Sequence, residues 1–422
     1  MIRFYNGLLL ENGVVTDHEL WTDGAVISYV GPETAERPVF EREVDLQGNL
    51  LMPGFKNAHT HSGMTFLRSL ADDEPLDRWL NEMIFPREAR LTPEALESFV
   101  KVAFLEYLAN GITACFDMYF FIDRLAALSA RWGFRTVICD SLMFDENPAV
   151  LYERYEKFNH YHPLVSYQLG FHAEYTSDEK LLSKVAEAAH YFKAPVFSHN
   201  SETRSETANC VQKRGLTPTA YFESLGLFDY GGGGFHCVHF TPEDMDIFVK
   251  HGLYVVLNAC SNAKLASGIA PLRAFEQKGV RLAVGTDGPA SNNALDFFRE
   301  MYLINVLAKL REQDAAAGNP ALILDAAVRG GALALGLTDC DCLAVGKQAD
   351  MIVIDMSRPN MRPVNNVVKN LIYSGSNANV RMTMIAGRVL YEDGRFFVGE
   401  DPADIYREAE RCTAAILAAD NK

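Results

Sequence analysis

Short, almost uniformly apolar runs alternate with amphipathic segments along most of the chain. One arrangement recurs four times, in which a helical stretch is followed by glycine and then by an apolar run that ends in a polar residue: "EYLANGITACFDM", "ARWGFRTVICDS", "FVKHGLYVVLNAC" and "FEQKGVRLAVGTDG". Glycine readily adopts the left-handed conformation that ends a helix, and runs rich in Val, Ile and Phe are typical of strands buried on both faces. Helix starts are equally clear, because "LTPEALESFVKV" and "FTPEDMDIFVKH" place threonine at the cap and proline in the first turn. The pattern therefore predicts alternating parallel strands and helices.

Eight strands of this kind can be counted, and helical segments separate most of them. They are predicted at residues 50–59, 112–117, 134–141, 164–172, 195–199, 234–239, 253–258 and 280–287. Eight consecutive strand–helix units are the sequence pattern of a (β/α)8 barrel, also called a TIM barrel. The predicted fold class is therefore α/β, with such a barrel as its main body.

The two ends of the chain show a different pattern, in which short strands alternate with turns. Residues 1–50 and 346–395 both read this way, and neither segment is large enough to form a stable domain alone. We therefore expect them to pair into one small β-sandwich domain, with an amphipathic helix over 402–420 packed on a domain surface. The predicted division is 1–52 for the N-terminal part of this composite β domain, 53–343 for the barrel, and 344–422 for the C-terminal part with the terminal helix.

Polar side chains that can bind a metal ion occur at the predicted strand ends. On a strand, residues i and i+2 point to the same side, so His59 and His61 would face one place. The side chains at the other predicted ends are His172, His199, His236, His239, Asn258 and Asp287. His236 and His239 have opposite parity, so only one of them can face the barrel centre. Because the carboxyl ends of barrel strands converge on one face, the sequence predicts a metal-binding catalytic site there.

The composition narrows the classes of partner. Acidic residues outnumber basic ones by 55 to 39 and give a formal net charge of −16, whereas nucleic acids and anionic membrane surfaces attract basic proteins. The N-terminus lacks the apolar core of a signal peptide, and no apolar run is long enough to span a bilayer. The eight cysteines are scattered through mostly apolar segments, as expected of reduced thiols. We therefore expect a cytoplasmic protein that acts on a small molecule and binds neither nucleic acid nor membranes.

Four motifs, in this order and spacing, resemble those of the amidohydrolase superfamily: "PGFKNAHTHSGM", "FSHNSETRSE", "FHCVHF" and "GTDGPASNN". The nearest branch is that of the 5′-methylthioadenosine/S-adenosylhomocysteine deaminases and related aminohydrolases. The likeness covers nearly the whole chain, including "GKQADMIVID", where the chain returns to the β domain. It implies a hydrolase that acts on the C–N bond of a cyclic amidine. It also implies a homo-oligomer, because such assemblies are frequent among relatives.

The resemblance further implies a mononuclear metal site. The metal would be Zn²⁺, one per subunit, with Fe²⁺ and Mn²⁺ as alternatives, and the ligands carried over to this chain are His59, His61, His199 and Asp287. Three neutral nitrogens and one carboxylate suit zinc and leave one coordination position for water. The predicted fourth strand, "LVSYQLGFH", lacks a lysine that could be carbamylated to bridge two metals. One metal is therefore favoured over two.

The same resemblance assigns roles to the residues around the metal. A divalent metal lowers the pKa of bound water towards neutrality, and Asp287 would take the proton of the attacking water. His236 would orient that water, and Glu202 would carry a proton to the ring nitrogen of the substrate. The residues expected to contact the substrate are Trp79, Glu88, Asp140, His172, Glu174 and Glu202.

Two residues depart from the family pattern on the substrate side. Asp140 stands where the methylthioadenosine-type enzymes place an arginine, and Glu174 stands where proline is usual. An acid in place of a cation disfavours an anionic tail, which would lose its partner. We therefore expect a neutral or hydroxyl-rich adenosine-type nucleoside, such as 5′-deoxyadenosine or 5′-methylthioadenosine, and we expect S-adenosylhomocysteine to be a poorer substrate.

The expected reaction is hydrolytic deamination by metal-activated water, which releases ammonia and leaves an inosine-type product. Three alternatives within the enzymes stay open: a deaminase of guanine, pterin or cytosine, a triazine hydrolase, and an amidase for cyclic amides. The amidase reaction usually goes with two metals. A non-catalytic scaffold is a further alternative, against which the complete ligand set and Glu202 both argue.

Overall fold

Strands from both ends of the chain build one β domain. The computed structural model describes residues 1–70, 72–74, 76–143 and 147–421. The N-terminal strands are β1 (Ile2–Tyr5), β2 (Leu8–Glu11), β3 (Val14–Thr16), β4 (Glu19–Asp23), β5 (Val26–Gly31), β6 (Arg42–Asp45) and β7 (Leu50–Pro53). Strands β5, β4, β1 and β6 form one sheet in that order, while β7, β2 and β3 belong to a second sheet.

The middle of the chain contributes parallel strands to a barrel. They are β8 (Phe55–Thr60), β9 (Ile112–Tyr119), β10 (Arg135–Asp140), β11 (Val165–Tyr167), β12 (Leu169–Gly170), β13 (Val196–Asn200), β14 (Gly232–His236), β15 (Tyr254–Leu257) and β16 (Arg281–Val284). They run in the orders β11-β10-β9-β8 and β12-β13-β14-β15-β16. Strands β11 and β12 are separated only by Gln168, whose backbone N–H donates to the Ile138 carbonyl of β10 at 3.0 Å. They are therefore two pieces of one barrel strand.

The barrel closes between its first and last strands. The backbone N–H groups of Thr286 and Asp287, just after β16, donate to the His59 carbonyl on β8 at 3.1 and 3.0 Å. The side-chain oxygen of Asn57 accepts a second bond from the Thr286 N–H at 2.9 Å. Buried side chains of successive strands fill the interior, among them Ala58, Ala114, Phe116, Val137, Phe197, Phe235, Val256 and Ala283. The predicted (β/α)8 barrel is confirmed.

The C-terminal strands complete the second sheet of the β domain. They are β17 (Met351–Ile354), β18 (Val380–Ile385), β19 (Arg388–Glu392) and β20 (Arg395–Phe396). This sheet runs in the order β20-β19-β18-β17-β7-β2-β3, so that β17 from one end of the chain pairs with β7 from the other. The domain has its own buried core, which includes Phe4, Leu20, Leu51, Met351 and Met382. The β-sandwich built from both chain ends is confirmed, while the boundaries after residues 52 and 343 stay a prediction.

Helices connect most of the barrel strands and close the chain. They are α1 (Leu76–Arg78), α2 (Phe85–Glu88), α3 (Pro93–Ala109), α4 (Ile122–Trp132), α5 (Val150–Asn159), α6 (Glu179–Phe192), α7 (Arg204–Arg214), α8 (Pro218–Ser224), α9 (Pro242–His251), α10 (Ala259–Lys264), α11 (Leu272–Lys278), α12 (Phe297–Glu312), α13 (Pro320–Asp325), α14 (Gly331–Ala334), α15 (Val367–Tyr373) and α16 (Pro402–Leu417). Short 3₁₀ or π segments are Ser62–Leu67, Trp79–Ile84, Glu174–Thr176, Ala326–Gly330, Thr338–Cys340, Pro359–Met361, Asn377–Asn379 and Ala418–Asn421. Thr92 caps α3, as the sequence predicts, by accepting from the Ala95 N–H at 3.2 Å. Within the described residues, no helix has both the length and the apolar character needed to cross a bilayer.

Four predicted elements differ from the structure. The strand predicted over 50–59 is two strands, β7 and β8, because the chain changes sheets at Gly54, where a Cβ atom would lie 2.2 Å from the Thr113 side chain. The residues that flank the break, Leu50–Pro53 before it and Phe55 after it, are all apolar, so no change of hydrophobic pattern marks the break. The strands predicted to reach residues 239 and 287 end earlier, at His236 and Val284. The segment 346–395 also contains helix α15 among its strands.

A buried ion pair joins the amino-terminal end of the barrel to the β domain. Arg135, the first residue of β10, donates from Nε and Nη2 to both carboxylate oxygens of Asp350 at 2.7 and 3.0 Å. Asp350 directly precedes β17 and also accepts from the Ala386 N–H at 2.7 Å. Despite complete burial, these partners hold the pKa of Asp350 below its usual value. The pair therefore fixes how the barrel meets the β domain.

We expect Asp350→Asn to lower the free energy of unfolding by about 3–5 kcal/mol, because the buried Arg135 guanidinium would lose its counter-charge. The control is Asp393→Asn, which disrupts the solvent-exposed pair with Arg381 and should cost less than about 1 kcal/mol. Urea denaturation of the three proteins measures both values. Equal losses in the two variants would contradict the structural role of the buried pair.

Candidate functional site

Four metal-ligand side chains meet at the carboxyl end of the barrel. His59 and His61 come from β8 and the residue after its end, His199 comes from β13, and Asp287 follows β16. All four are buried, and their ligand atoms lie within 4.8 Å of one another. The two histidines of the His-x-His motif face one place, as their spacing predicts. Three nitrogens and one carboxylate oxygen at this separation fit a divalent metal ion.

Backbone carbonyls orient two of the imidazole rings. His61 donates from Nδ1 to the Met118 carbonyl at 2.6 Å, and His199 donates from Nδ1 to the His172 carbonyl at 2.7 Å. A carbonyl can only accept, so each ring carries its proton on Nδ1 and turns the lone pair of Nε2 towards the site. This outer arrangement is typical of histidines that bind metals.

His59 gives the strongest sign that a cation belongs here. Both of its ring nitrogens are buried, and neither has a hydrogen-bond partner among the residues that the structure describes. Buried polar atoms are almost always bonded, and a coordinated ion would give a partner to Nε2, the nitrogen that lies beside Asp287 Oδ1. Burial also lowers the pKa of His59 to about 3 and that of His199 well below its usual value. Both rings are therefore neutral, which is the form that binds a metal.

Asp287 presents one carboxylate oxygen to the histidines. Its Oδ2 accepts from the hydroxyls of Ser261 and Ser291 at 2.6 and 2.7 Å. Its Oδ1 lies 3.4 Å from His59 Nε2 and 3.3 Å from His61 Nε2. Although burial alone would raise it, the neighbouring histidines hold the pKa of Asp287 well below its usual range. The carboxylate is thus ionised and oriented with one oxygen available to an ion.

Two further titratable side chains face the same space. His236 bonds from Nδ1 to the side-chain oxygen of Asn262 at 2.7 Å, which leaves Nε2 buried and unbonded within the described residues. This Nε2 lies 3.9 Å from Glu202 Oε2, while Glu202 Oε1 accepts from the Ser267 hydroxyl at 3.0 Å. His239 turns away and bonds to the Ser267 carbonyl at 2.8 Å. Of the two histidines in "FHCVHF", His236 is therefore the one in the site.

Backbone strain accompanies this arrangement. Ser201, His236, Cys237 and Asp287 all have positive φ values, of 51°, 70°, 50° and 59°. Residues other than glycine rarely adopt this left-handed backbone conformation, and those that do concentrate at functional sites. Each of the four lies at or just beyond the carboxyl end of a barrel strand, where the chain must turn sharply to aim its side chains inward. The strained residues therefore include one of the four clustered side chains, Asp287, together with His236 beside them.

Glu206 supports the turn that carries Glu202. Its carboxylate accepts from the backbone N–H groups of Ser201, Glu202 and Thr203 at 3.0, 2.7 and 3.3 Å. The sequence reasoning passed over this residue, although Thr203 and Glu206 form the capping-box pattern that begins α7. Glu206 thus fixes the backbone on which the candidate proton carrier sits.

A similar support holds the turn after β16. Glu300 on α12 accepts from the Asn292 side chain at 2.7 Å and from the Cys260 N–H at 3.2 Å. The same Asn292 nitrogen donates to the Thr286 carbonyl at 2.7 Å. Burial raises the pKa of Glu300 to about 8, so this acid is largely protonated at neutral pH. No motif in the sequence indicates this brace, because its members lie on separate elements.

Two adjoining cavities open beside the metal-ligand group. The inner cavity has a volume of about 50 Å³, and its lining includes His61, Trp79, Glu88, Tyr119, His172, His199, Glu202, His236 and Asp287. The outer cavity has a volume of about 780 Å³. The two share the lining residues Phe85, Glu88, Tyr119, Phe120, Ser141 and Met143. A molecule bound at the metal-ligand group can therefore extend into the larger space.

The sequence-predicted substrate residues are distributed unequally between these cavities. Trp79, Glu88 and His172 line the inner one, where Glu88 accepts a hydrogen bond from the Tyr119 hydroxyl. Burial raises the pKa of Glu88 to about 7. Asp140 lines the outer cavity, whereas Glu174 is not among the described residues that line either one.

Both unusual acids are paired with arginines that the sequence reasoning missed. Asp140 accepts from Arg154 and from the Tyr167 hydroxyl, and Glu174 accepts from Arg214 Nε at 2.6 Å. Arg154 lies 14 residues beyond its partner and Arg214 lies 40 residues beyond its own. Separations of this size carry no local pattern, so only the folded chain reveals the pairs.

Known proteins resemble this chain over most of its length. The model of the amidohydrolase family matches residues 50–390. The 5-methylthioadenosine/S-adenosylhomocysteine deaminase of Desulfovibrio desulfuricans is 39% identical over 387 residues, which span 89% of this chain and 87% of the relative. The 5′-deoxyadenosine deaminase of Methanothermobacter thermautotrophicus is 35% identical over 366 residues, or 85% of this chain and 86% of the relative. The crystal structure of an adenosine deaminase from Xanthomonas campestris with bound zinc superposes with a TM-score of 0.93 at 33% identity, covering 99% of this chain and 98% of that one.

We expect His59→Ala to abolish stoichiometric binding of a divalent metal, because it removes one of four buried ligands. His239→Ala is the matched control, since it removes a histidine of the same end of the barrel that points away from the ligand group. Elemental analysis of proteins purified after zinc supplementation measures the metal content of both variants. Retention of the wild-type metal content by His59→Ala would show that the ion is held elsewhere.

Proposed function

Because the chain belongs to the amidohydrolase family, we propose that it is a metal-dependent deaminase of adenosine-type nucleosides. The substrate is 5′-deoxyadenosine, 5′-methylthioadenosine or a similar nucleoside, and the products are ammonia and an inosine-type nucleoside. The observation that carries this proposal is the cluster of four buried metal-binding side chains beside the inner cavity, which His61, His199 and Asp287 line together with Glu202 and His236. The names of the relatives and of the zinc-containing structure agree with it.

His59, His61, His199 and Asp287 would hold one Zn²⁺ ion per subunit. Two observations support this assignment. Nε2 of His59 is buried without a hydrogen-bond partner among the described residues, and His61 and His199 donate from Nδ1 to backbone carbonyls, which leaves Nε2 of each ring for the ion. Fe²⁺ and Mn²⁺ accept the same ligand types, and elemental analysis distinguishes the three metals. When bound, such an ion lowers the pKa of a water molecule and so supplies the nucleophile at neutral pH.

The protein's own side chains account for the proton transfers of deamination. Hydrolysis forms a C–O bond at the amino-bearing ring carbon and breaks its C–N bond, so the two protons of water must reach the ring nitrogen and the departing amine. We assign the first transfer to Glu202 Oε2, because Ser267 holds the other carboxylate oxygen. We assign the second to Asp287, whose serine bonds leave Oδ1 facing the site.

His236 would orient the attacking water. Asn262 accepts its Nδ1 proton, so the Nε2 lone pair can accept a hydrogen bond from that water. The brace from Asn262 and the positive φ of His236 together hold the ring in one direction. Fixed orientation of this kind reduces the entropy that the transition state must lose.

The cavity sizes favour a nucleoside over a free base. Pockets for small organic ligands usually occupy about 300–1,000 Å³, so the inner cavity of about 50 Å³ holds only the reacting part of a substrate. The amino-bearing edge of the purine ring would lie there beside His172 and Glu202, with Trp79 in the wall. The sugar would pass Glu88, whose carboxylate can accept from a hydroxyl, and its substituent would enter the outer cavity. A free guanine, pterin, cytosine or triazine would leave that cavity unused.

A non-catalytic scaffold would not require the complete arrangement of ligands and proton carriers. Assembly into a homo-oligomer and residence in the cytoplasm stay predictions from the sequence. The small-molecule substrate follows from the proposed reaction, and the acidic surface agrees with a protein that does not bind nucleic acid.

A substrate panel tests the reaction class directly. We expect ammonia release from 5′-methylthioadenosine and 5′-deoxyadenosine with a higher kcat/KM than from guanine, cytosine or a pterin, because the free bases cannot fill the outer cavity. An enzyme-coupled ammonia assay, run on protein of measured metal content, gives the values. Turnover of free bases alone, or release of chloride from a chlorotriazine, would contradict the nucleoside assignment.

We expect Glu202→Gln to lower kcat by about 10²–10⁴-fold, because the amide cannot donate the required proton. Glu187→Gln makes the same chemical change at an exposed acid of α6 and should keep the wild-type rate. The metal content of both variants should match that of the wild type, since Glu202 is not one of the ligands. Normal turnover by metal-loaded Glu202→Gln would assign the proton transfer to another group.

A further inference from the structure

The outer cavity has a charged group at one side and an otherwise largely apolar wall. Its apolar lining includes Phe85, Leu91, Ile122, Leu142, Met143 and Val150. The charged residues in the described lining are Glu88, Asp123, Asp140 and Arg154. Arg154 is thus the single lysine or arginine found there, and its partner decides how much positive charge the cavity presents.

That partner is Asp140, and both of its carboxylate oxygens accept hydrogen bonds. The Asp140 side chain is only 5% exposed, one carboxylate oxygen accepts from Arg154 Nη1, and the other accepts from the Tyr167 hydroxyl at 2.5 Å. Tyr167 is itself buried on β11 and holds Asp140 from the side of the barrel wall. Both members of the ion pair therefore line the outer cavity, where the acid is bonded to Arg154 and Tyr167 and the arginine is the more exposed partner.

The pairing cancels the charge that an anionic ligand would need. A carboxylate entering this cavity loses hydration, and it gains little from a guanidinium whose charge Asp140 already balances at close range. Asp123 lies at the exposed edge, where it pairs with Lys157, so the nearby lysine is also balanced by an acid. An uncharged substituent meets the apolar wall without such a penalty.

We propose that the Asp140–Arg154 pair is a specificity determinant, in which Asp140 masks Arg154 so that the outer cavity selects an uncharged 5′ substituent over one bearing a carboxylate. This inference rests on the proposed function, because it concerns the substituent of the same nucleoside. It differs from the expectation based on Asp140 alone. In that expectation the anionic tail loses its partner because an acid replaces an arginine, whereas here an arginine is present and Asp140 balances its charge.

A mutant cycle with two matched substrates separates these possibilities. The substrates are 5′-methylthioadenosine and its analogue in which a carboxymethyl group replaces the methyl on sulfur. The measured quantity is the ratio of kcat/KM for the acid to kcat/KM for the neutral nucleoside, in the zinc-loaded wild type, Asp140→Asn, Arg154→Gln and the double variant. Asparagine keeps the shape of Asp140 and can still bond to Tyr167. Because the ratio compares two substrates of the same variant, a general loss of activity in that variant cancels.

We expect a wild-type ratio well below one and a rise of at least about tenfold in Asp140→Asn, because the unmasked guanidinium can pair with the substrate carboxylate. The double variant should return close to the wild-type ratio, since it contains neither charge. Asp314→Asn is the matched control, because it breaks an Arg–Asp pair with Arg273 that lines neither cavity, and it should leave the ratio unchanged.

Two results would overturn the masking. An equal rise in Asp140→Asn and in the double variant would mean that Asp140 repels the ligand directly and that Arg154 has no part. An unchanged ratio in every variant would place the substituent outside this cavity. A metal-loaded wild type that releases no ammonia from 5′-methylthioadenosine would instead overturn the proposed function, so the two failures are distinguishable.

Discussion

The burial of four metal-ligand groups within 4.8 Å of one another is the constraint on which the site depends. The imidazole nitrogens and the charged carboxylate converge on one buried point, and a divalent cation there binds the nitrogens and balances the carboxylate. Closure of the barrel creates this situation, because the bonds from Thr286 and Asp287 to the His59 carbonyl join the last strand to the first. The metal site and the closed sheet therefore stabilise each other.

The two ends of the barrel have different roles, because the carboxyl end carries the site and the amino end carries the attachment of the β domain. At the carboxyl end the strands finish in strained turns, and the bonds of Glu206 and Glu300 hold those turns so that short side chains keep their direction. At the amino end the Arg135–Asp350 pair attaches the β domain. This division is general among barrel enzymes, because loops from every unit converge at one end only.

Charge pairing explains how a strongly acidic chain can offer a neutral cavity for its substrate. The acids that distinguish this chain on the substrate side, Asp140 and Glu174, are both bonded to arginines. The net charge of −16 therefore does not by itself describe the charge that the substrate side of the site presents.

The sequence by itself determined the barrel and the composite β domain, because the period of a strand and the order of strand ends are local properties. It also predicted that His59, His61, His199 and Asp287 meet at one end of the barrel, as they do. Their role as ligands and the roles of Glu202 and His236, which the motifs imply, stay proposals. Only the tertiary structure decided where the chain changes sheets at Gly54, and which arginine neutralises which acid. Only the tertiary structure likewise revealed the braces on Asp287. These features join residues that are distant along the chain, or lie in uniformly apolar runs, so no local pattern encodes them. Their formation depends on the packing of whole elements against one another.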